Sequence, residues 1–133
     1  MLTGGCQCGA VRYEAGEPQA LFVCHCRECQ KQSASAFGIS VRVRRSELNV
    51  LQGAVAYWER DADSGRRITC AFCPTCGSRL WHEKIDVPEF VNLKGGSLDR
   101  PPDLAAAVHI WTKRKLDGVV IPHGVKTFTG EPG

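Results

Sequence analysis

Cysteine grouping constrains this chain more than any other feature of its sequence. Seven of its eight cysteines fall into three tight clusters, which are Cys6-Gln-Cys8, Cys24-His-Cys26-Arg-Glu-Cys29 and Cys73-Pro-Thr-Cys76. Thiolates at such spacing can converge on one soft cation, and zinc is the usual occupant of cysteine-rich sites. We therefore interpret the clusters as ligands of two zinc ions per chain.

The last cluster has the form of a zinc knuckle, a tight turn that presents two sulfurs to one ion. Its proline fixes φ, and Gly77 relieves strain where the turn ends. A closed structural site needs four ligands, and Cys6 and Cys8 can supply the other two. The sequence therefore predicts a four-cysteine structural zinc site made of Cys6, Cys8, Cys73 and Cys76. The alternative is a set of buried free thiols or disulfides.

The middle cluster supplies three sulfurs, from Cys24, Cys26 and Cys29, in one continuous segment. Three protein ligands and a vacant fourth position are typical of catalytic zinc, so these residues are our candidate catalytic ligands. Three thiolates make zinc a weak Lewis acid, which favours an incoming thiol over water. The alternatives are a redox role and a structural zinc closed by His25 or Cys70. By strand parity His25 should face away from the ion, and Cys70 should be a small core residue.

Size and composition indicate a single domain over residues 1–133, with Gly130–Gly133 frayed. No apolar run approaches the roughly 20 residues that a membrane-spanning helix needs, and the N-terminal residues lack the pattern of a signal peptide. We therefore expect a cytoplasmic protein without membrane contact. Cysteine clusters in a reducing compartment more often indicate metal or redox chemistry than disulfides.

The net charge argues against a nucleic-acid partner. The formal charge of +3 counts every thiol as neutral. Seven thiolates and two zinc ions together subtract three charges, so the loaded protein would be close to neutral. A phosphate-binding surface needs a net positive field or a dense basic patch. The basic groups at 42–45 and 113–115 are read as solvated strand faces and turns.

Short alternating runs between glycine and proline turns predict a mainly β fold. The expected strands are Val11–Glu14, Ile39–Val43, Leu48–Leu51, Val55–Trp58, Arg67–Phe72, Arg79–His82, Phe90–Leu93 and Val108–Trp111. One helix is predicted over Arg27–Ala36, and short turns are expected to begin at Ser46 and Asp103. The isolated histidines (His82, His109 and His123) are interpreted as core or surface residues and not as ligands. The aromatics (Phe37, Trp58, Trp81, Phe90 and Trp111) are interpreted mainly as core residues, with one or two near the open zinc.

Three motifs resemble those of the glutathione-dependent formaldehyde-activating enzymes. They are Gly4-Gly5-Cys6-Gln-Cys8-Gly-Ala-Val-Arg-Tyr13, then Cys24-His-Cys26-Arg-Glu-Cys29-Gln-Lys31 running into Ser33–Phe37, and finally Phe72-Cys73-Pro-Thr-Cys76-Gly-Ser78. The segment from His109-Ile-Trp111 to Phe128 fits as well. The resemblance implies a β-tent, a fold of antiparallel β-sheets around zinc with one or two short helices. It also implies a structural zinc on the four cysteines and a labile catalytic zinc on the other three.

The implied activity is that of a carbon–sulfur lyase, which joins glutathione to formaldehyde and gives S-hydroxymethylglutathione. The expected partners are therefore a small thiol, with glutathione as the candidate, and formaldehyde or another small aldehyde. Arg27 and Lys31 could meet the carboxylates of glutathione, or could simply face solvent. Two other functions stay open: a non-catalytic two-zinc binding module, which would need a fourth protein ligand on the second ion, and a nucleic-acid-binding zinc ribbon.

Overall fold

β-strands dominate the structure, a computed structural model that describes residues 1–62 and 65–132. The described residues form one α-helix, α1 (Arg27–Ser33), and several short 3₁₀ turns. The strands are β1 (Leu2–Gly5), β2 (Arg12–Ala15), β3 (Ala20–Cys24), β4 (Gly38–Arg44), β5 (Asn49–Gln52), β6 (Ala56–Asp61), β7 (Arg67–Phe72), β8 (Arg79–Lys84), β9 (Phe90–Lys94) and β10 (Val108–Ile110). The mainly β fold predicted from the sequence is confirmed.

The strands make two sheets. A small sheet has the order β1-β2-β5, and a large one has the order β10-β3-β4-β9-β8-β7-β6. The described pairings are antiparallel, with the exception of the parallel pairs that Val108–Ile110 makes with Phe22–Cys24 and that His109 makes with Thr127. The large sheet is therefore mixed, whereas the resemblance implied antiparallel sheets.

A single apolar core lies between the small sheet and one face of the large sheet. Tyr13 from β2 is fully buried, and its ring meets Trp81 of β8 edge-on at 6.0 Å. Val91 and Leu93 alternate along β9 and are also fully buried, as the period of two in a strand requires. The other residues of β9, including Lys94, therefore lie on the opposite face of the large sheet.

Several element boundaries differ from those expected. The helix ends at Ser33, three residues early, because Ala34 takes a left-handed conformation with φ of 51° and closes the last turn. The strand expected to reach Trp111 ends at Ile110 for the same reason, since Trp111 has φ of 56°. Strands β1 and β3 were not predicted, because a glycine-rich run and a continuous apolar run both lack alternation.

The short turns are close to their expected places. Asp103 caps a 3₁₀ turn by accepting a hydrogen bond from Ala105 N at 2.9 Å. The turn near Ser46 spans Arg45–Glu47, so Ser46 lies inside it and does not cap it. Of the residues expected to fray, Gly130 accepts a hydrogen bond from Trp111 N, and Gly133 lies outside the described residues. None of the described helices has the length and apolarity to cross a membrane.

Candidate metal centres

The first sulfur cluster joins the tips of two hairpins that belong to different sheets. Cys6 and Cys8 lie in the turn between β1 and β2 of the small sheet, and Cys73 and Cys76 lie in the turn between β7 and β8 of the large sheet. A hydrogen bond from Gln7 N to Ser78 Oγ, at 3.0 Å, also links the two turns. The site therefore connects the sheets at one end of the core.

The spacing of these four sulfurs fits a tetrahedral ion. The Sγ atoms of Cys6, Cys8, Cys73 and Cys76 all lie within 4.8 Å of one another. Cys6 and Cys8 are 3.6 Å apart, and Cys8 and Cys73 are 3.8 Å apart. A tetrahedron with zinc–sulfur bonds of about 2.3 Å has edges of about 3.8 Å, whereas a disulfide requires about 2.05 Å. The cysteines are free in the structure, and the geometry suits a metal.

Hydrogen bonds prepare two of these sulfurs for deprotonation. Val11 N donates to Cys6 Sγ at 3.2 Å, and this contact lowers the pKa of Cys6. Ser78 Oγ lies 3.2 Å from Cys76 Sγ and lowers the pKa of Cys76 to about 5. Because metals bind thiolates and not thiols, both contacts favour metal binding at neutral pH.

The second sulfur cluster forms where β3 runs into α1. Cys24 ends the strand, Cys26 is the N-cap of the helix, and Cys29 lies in the first helical turn. Their Sγ atoms also lie within 4.8 Å of one another. Cys29 N donates to Cys26 Sγ at 3.3 Å. Contacts with the thiols of Cys24 and Cys29 lower the pKa of Cys26, whereas contacts with Cys26 and Cys29 raise the pKa of Cys24. The first thiolate of the cluster therefore forms on Cys26.

A glycine makes room for this cluster. Gly38 begins β4 and pairs with Cys24 of β3. A Cβ atom at position 38 would lie 3.1 Å from Cys29 Cβ and 3.4 Å from Cys29 Sγ. The helix can therefore bring its sulfur against the strand ends only because residue 38 has no side chain. This close approach and the all-sulfur donor set fit a soft divalent metal such as zinc; metal binding at either cluster stays a prediction.

Neither proposed fourth ligand joins the second cluster. Among the described residues, the group that could share a metal contains Cys24, Cys26 and Cys29 alone. Cys70 is buried on β7, where it pairs with His82 of β8. It is therefore a buried small residue outside both clusters, as its parity predicted. His25 is fully buried, with its Nε2 atom 2.8 Å from His109 Nδ1.

The pairing of His25 with His109 was not predicted from the sequence, where His109 looks isolated and His25 was considered only as a possible fourth ligand. Parallel pairing of β10 with β3 places His109 opposite Val23, and this brings its ring against that of His25, which lies between Cys24 and Cys26 in the sequence. Burial lowers the pKa of both histidines, so the pair is neutral at pH 7. Gln30 Nε2 donates to His25 O at 2.8 Å, which fixes this segment further. These contacts hold Cys24 and Cys26 in place.

A cavity of about 760 Å³ separates the two clusters. Cys6 of the first and Cys29 of the second both line it, and glycines form much of the remaining wall. Its charged lining residues are Arg12, Arg79, Lys94 and Asp99. Arg12 Nη1 donates to Asp99 Oδ1 at 2.8 Å, and Arg79 lies over the ring of Phe72. The cavity is therefore cationic, and one face of the second cluster opens into it.

Other expectations for the site had mixed outcomes. Neither Arg27 nor Lys31 is among the residues that line the cavity, and Arg27 donates to Gln30 Oε1. Phe37 does line the cavity and meets the ring of His25. Trp81 is a core residue as expected, whereas the core assignment of Trp58 was wrong, since 48% of this residue is exposed.

Comparisons with known proteins agree with the motifs. The family model of the glutathione-dependent formaldehyde-activating enzymes matches residues 1–114. A curated relative from Halomonas elongata, described as a putative glutathione-dependent formaldehyde-activating enzyme, is 30% identical over 91% of this chain and 81% of its own length. The chain therefore belongs to the glutathione-dependent formaldehyde-activating enzyme family.

A solved structure shows the same fold. The crystal structure of a Rhodobacter sphaeroides protein from a structural genomics programme superposes with a TM-score of 0.58. The match covers 95% of this chain and 98% of that one, at 23% identity. At this identity the likeness supports the fold alone.

Proposed function

We propose that this protein is a zinc-dependent enzyme that condenses a thiol with formaldehyde or another small aldehyde. In this proposal Cys6, Cys8, Cys73 and Cys76 hold a structural zinc, and a second zinc binds to the other cluster. The reaction forms a carbon–sulfur bond between the thiol sulfur and the carbonyl carbon, and the thiol proton ends on the new hydroxyl group. Glutathione is the candidate thiol, in keeping with the family.

The observation that carries the proposal is the three-sulfur cluster at the wall of a cavity. Cys24, Cys26 and Cys29 come together without a fourth protein ligand among residues 1–62 and 65–132, and Cys29 lines the cavity. Zinc on three thiolates supplies a soft Lewis acid with one position left for an incoming thiol. A binding module closed by Cys70 or His25 has no such support, because neither residue joins the cluster.

The chain contributes mainly the positioning of the two reactants. A volume of about 760 Å³ is in the range of small-molecule sites and can hold a tripeptide thiol with an aldehyde beside it. Holding two small reactants together contributes the most to the rate of a bimolecular addition. Arg79 makes no ion pair with another described residue, so its guanidinium is free to receive a carboxylate of glutathione.

The proposal places the reaction in the cytoplasm. The described cysteines are all free thiols, and a reducing compartment keeps them in that state. Both the expected thiol and the metal ligands need this condition.

Exchange spectroscopy by NMR tests the proposal, because the uncatalysed addition of thiols to formaldehyde is already fast. Zinc-loaded protein should increase the exchange rate between glutathione and its hydroxymethyl adduct. Cys26→Ser should abolish the increase while the fold is kept. Cys70→Ser, at a buried cysteine outside both clusters, is the matched control and should keep it. Equal exchange with the Cys26→Ser variant would disprove the mechanism.

A further inference from the structure

Lys94 is a cation in an unusual place for a lysine. It is the last residue of β9 and lies on the face of the large sheet opposite the core. Its side chain lines the same cavity as Cys29. Lys94 is half-buried, whereas lysines are mostly exposed, so a lysine in the wall of the cavity beside the second cluster needs an explanation.

His82 fixes the ammonium group of Lys94. Lys94 Nζ lies 2.9 Å from His82 Nδ1, which is good hydrogen-bond geometry. Burial holds the pKa of His82 well below its usual value, and the neighbouring cations Lys94, Lys84 and Arg60 act in the same direction. His82 is therefore neutral at pH 7, and its Nδ1 atom accepts a hydrogen bond from the ammonium group of Lys94. One donor of the ammonium is occupied in this way, and its position is set.

The groups that favour a charged Lys94 are sulfurs and not carboxylates. No ion pair between Lys94 and an aspartate or glutamate occurs among the described residues. Burial lowers the pKa of Lys94, and the sulfurs of Cys29, Cys70 and Cys24 act against that change. Arg60 is the cation that repels it. Two of these sulfurs, Cys24 and Cys29, belong to the second cluster.

The negative charge that the second cluster would carry with a metal bound explains why a cation lies beside it. Three thiolates around a divalent ion carry a net charge of about −1, and a bound substrate thiolate makes it −2. A cavity with low-dielectric walls disfavours this build-up of negative charge unless a cation lies close to it. Arg12 is already engaged by Asp99, and Lys94 is the lining cation whose field acts on Cys29.

We propose that Lys94, held by His82, is the positioning residue that compensates the negative charge of the second metal site and so favours thiolates as its exogenous ligand. The inference rests on the proposed function and deepens it, because the site would then select its exogenous ligand by the negative charge on the ligand's sulfur. Water and other neutral ligands leave the site at −1 and benefit less from the ammonium. A merely structural Lys94 would support β9 and affect stability alone.

Thiol binding to cobalt-substituted protein tests this inference. The probe is 2-mercaptoethanol, which has no carboxylate, and the readout is the thiolate-to-cobalt absorption band between pH 6 and 9. Lys94→Met should weaken binding at least about tenfold and move the half-binding point to higher pH, because the thiol must ionise without help. Lys94→Arg should restore most of the affinity. Lys84→Met, on the same face and paired with Glu131, is the control and should bind as the unmodified protein does.

Two results would overturn the inference. One is unchanged binding of 2-mercaptoethanol in Lys94→Met. The other is weakened binding of glutathione alone, which would make Lys94 a carboxylate receptor.

Metal retention gives a readout that does not depend on the proposed function. The loaded cluster is negative and its protonated form is neutral, so removal of the ammonium should favour the protonated form. Acid release of cobalt from the second cluster should then occur at higher pH in Lys94→Met than in Lys84→Met. If no variant binds any thiol, the proposed function fails, but the release curve still tests the role of Lys94. Equal midpoints of cobalt release in Lys94→Met and Lys84→Met would contradict that role.

Discussion

Gly38 and Cys29 approach each other so closely that a Cβ atom on Gly38 would lie 3.1 Å from the Cβ atom of Cys29. Gly38 begins β4, and Cys29 lies in helix α1 and belongs to the second sulfur cluster, so a shift of either residue changes the cluster. The predicted second metal site therefore depends on a residue that supplies no ligand atom.

Gly38→Ala should weaken the second metal site and leave the first intact. The added methyl group must displace Cys29 by a few tenths of an ångström, and overpacking of this kind costs about 1–3 kcal/mol, which corresponds to about 5- to 150-fold in metal affinity. Competitive chelation measures the affinity of each site. Gly96→Ala is the matched control, because a Cβ atom there meets nothing within 4 Å in the same cavity wall. Equal affinities in the two variants would contradict the packing argument.

Cys73→Ser should destabilise the whole domain. Cys73 is fully buried in the core cluster and belongs to the site that joins the two sheets. Structural zinc in small peptides contributes on the order of 10 kcal/mol apparent, and a loss of even a few kcal/mol lowers the melting temperature by more than about 10 °C in a domain of this size. Thermal denaturation followed by circular dichroism measures the change.

Cys70→Ser serves as the control for that experiment, since Cys70 is a buried cysteine on the same hairpin but belongs to neither cluster. It should retain two zinc ions and melt well above Cys73→Ser. If Cys73→Ser melts with the control, the first site is not structural.

Ser78→Ala should make the first site more sensitive to acid. The pKa of Cys76 is lowered from its ordinary value of 9.0 to about 5, and the hydroxyl of Ser78 is the largest cause, followed by the backbone N–H groups of Ser78 and Cys8. Loss of the hydroxyl should raise the pKa of Cys76 part of the way back towards 9, so protons compete with the metal at higher pH. The midpoint of zinc release, followed with a chromogenic chelator, should therefore move to higher pH. The exposed Ser46→Ala is the control, and a shared midpoint would count against this role of Ser78.

His109→Leu should destabilise the protein by about 1–3 kcal/mol at pH 7.5. His25 is fully buried and uses Nε2 to meet His109 Nδ1 at 2.8 Å, so loss of the partner leaves a buried polar atom unsatisfied. Urea denaturation gives the free energy of unfolding. His123→Leu, at an exposed histidine, should be nearly neutral. A destabilisation no greater than that of His123→Leu would show that the pair contributes little.

Sequence patterns predicted which cysteines come together, because the spacing within each cysteine motif is a local property. Cys73 and Cys76 need only a short turn to meet, and the alternation of β4, β7 and β9 is visible in the chain. What the patterns missed depends on distant pairing. His109 meets His25 only because β10 lies parallel to β3, and Lys94 meets His82 only because β9 pairs with β8 in the register that places His82 opposite Asn92. Neither relation leaves a signal in any short stretch of residues.

Strand β3 shows the same limit for the fold. Its residues Leu21, Phe22 and Val23 form a continuous apolar run, which periodicity alone does not distinguish from a loop packed on the core or from a buried helix. It becomes a strand because β4 and β10 cover both of its edges. Helix α1 was placed correctly at its start, where Cys26 caps it, and too long at its end.

The separation between the two halves of the first site has a consequence for synthesis. Cys6 and Cys8 leave the ribosome before Cys73 and Cys76, and Cys8 and Cys73 are 65 residues apart in sequence. If the four cysteines share one ion, the whole segment between them must emerge before that ion can fasten the two sheets together. During that interval the nascent N-terminal thiols are open to oxidants and to competing ions, so the supply of free zinc should affect the yield of folded protein more than its final stability.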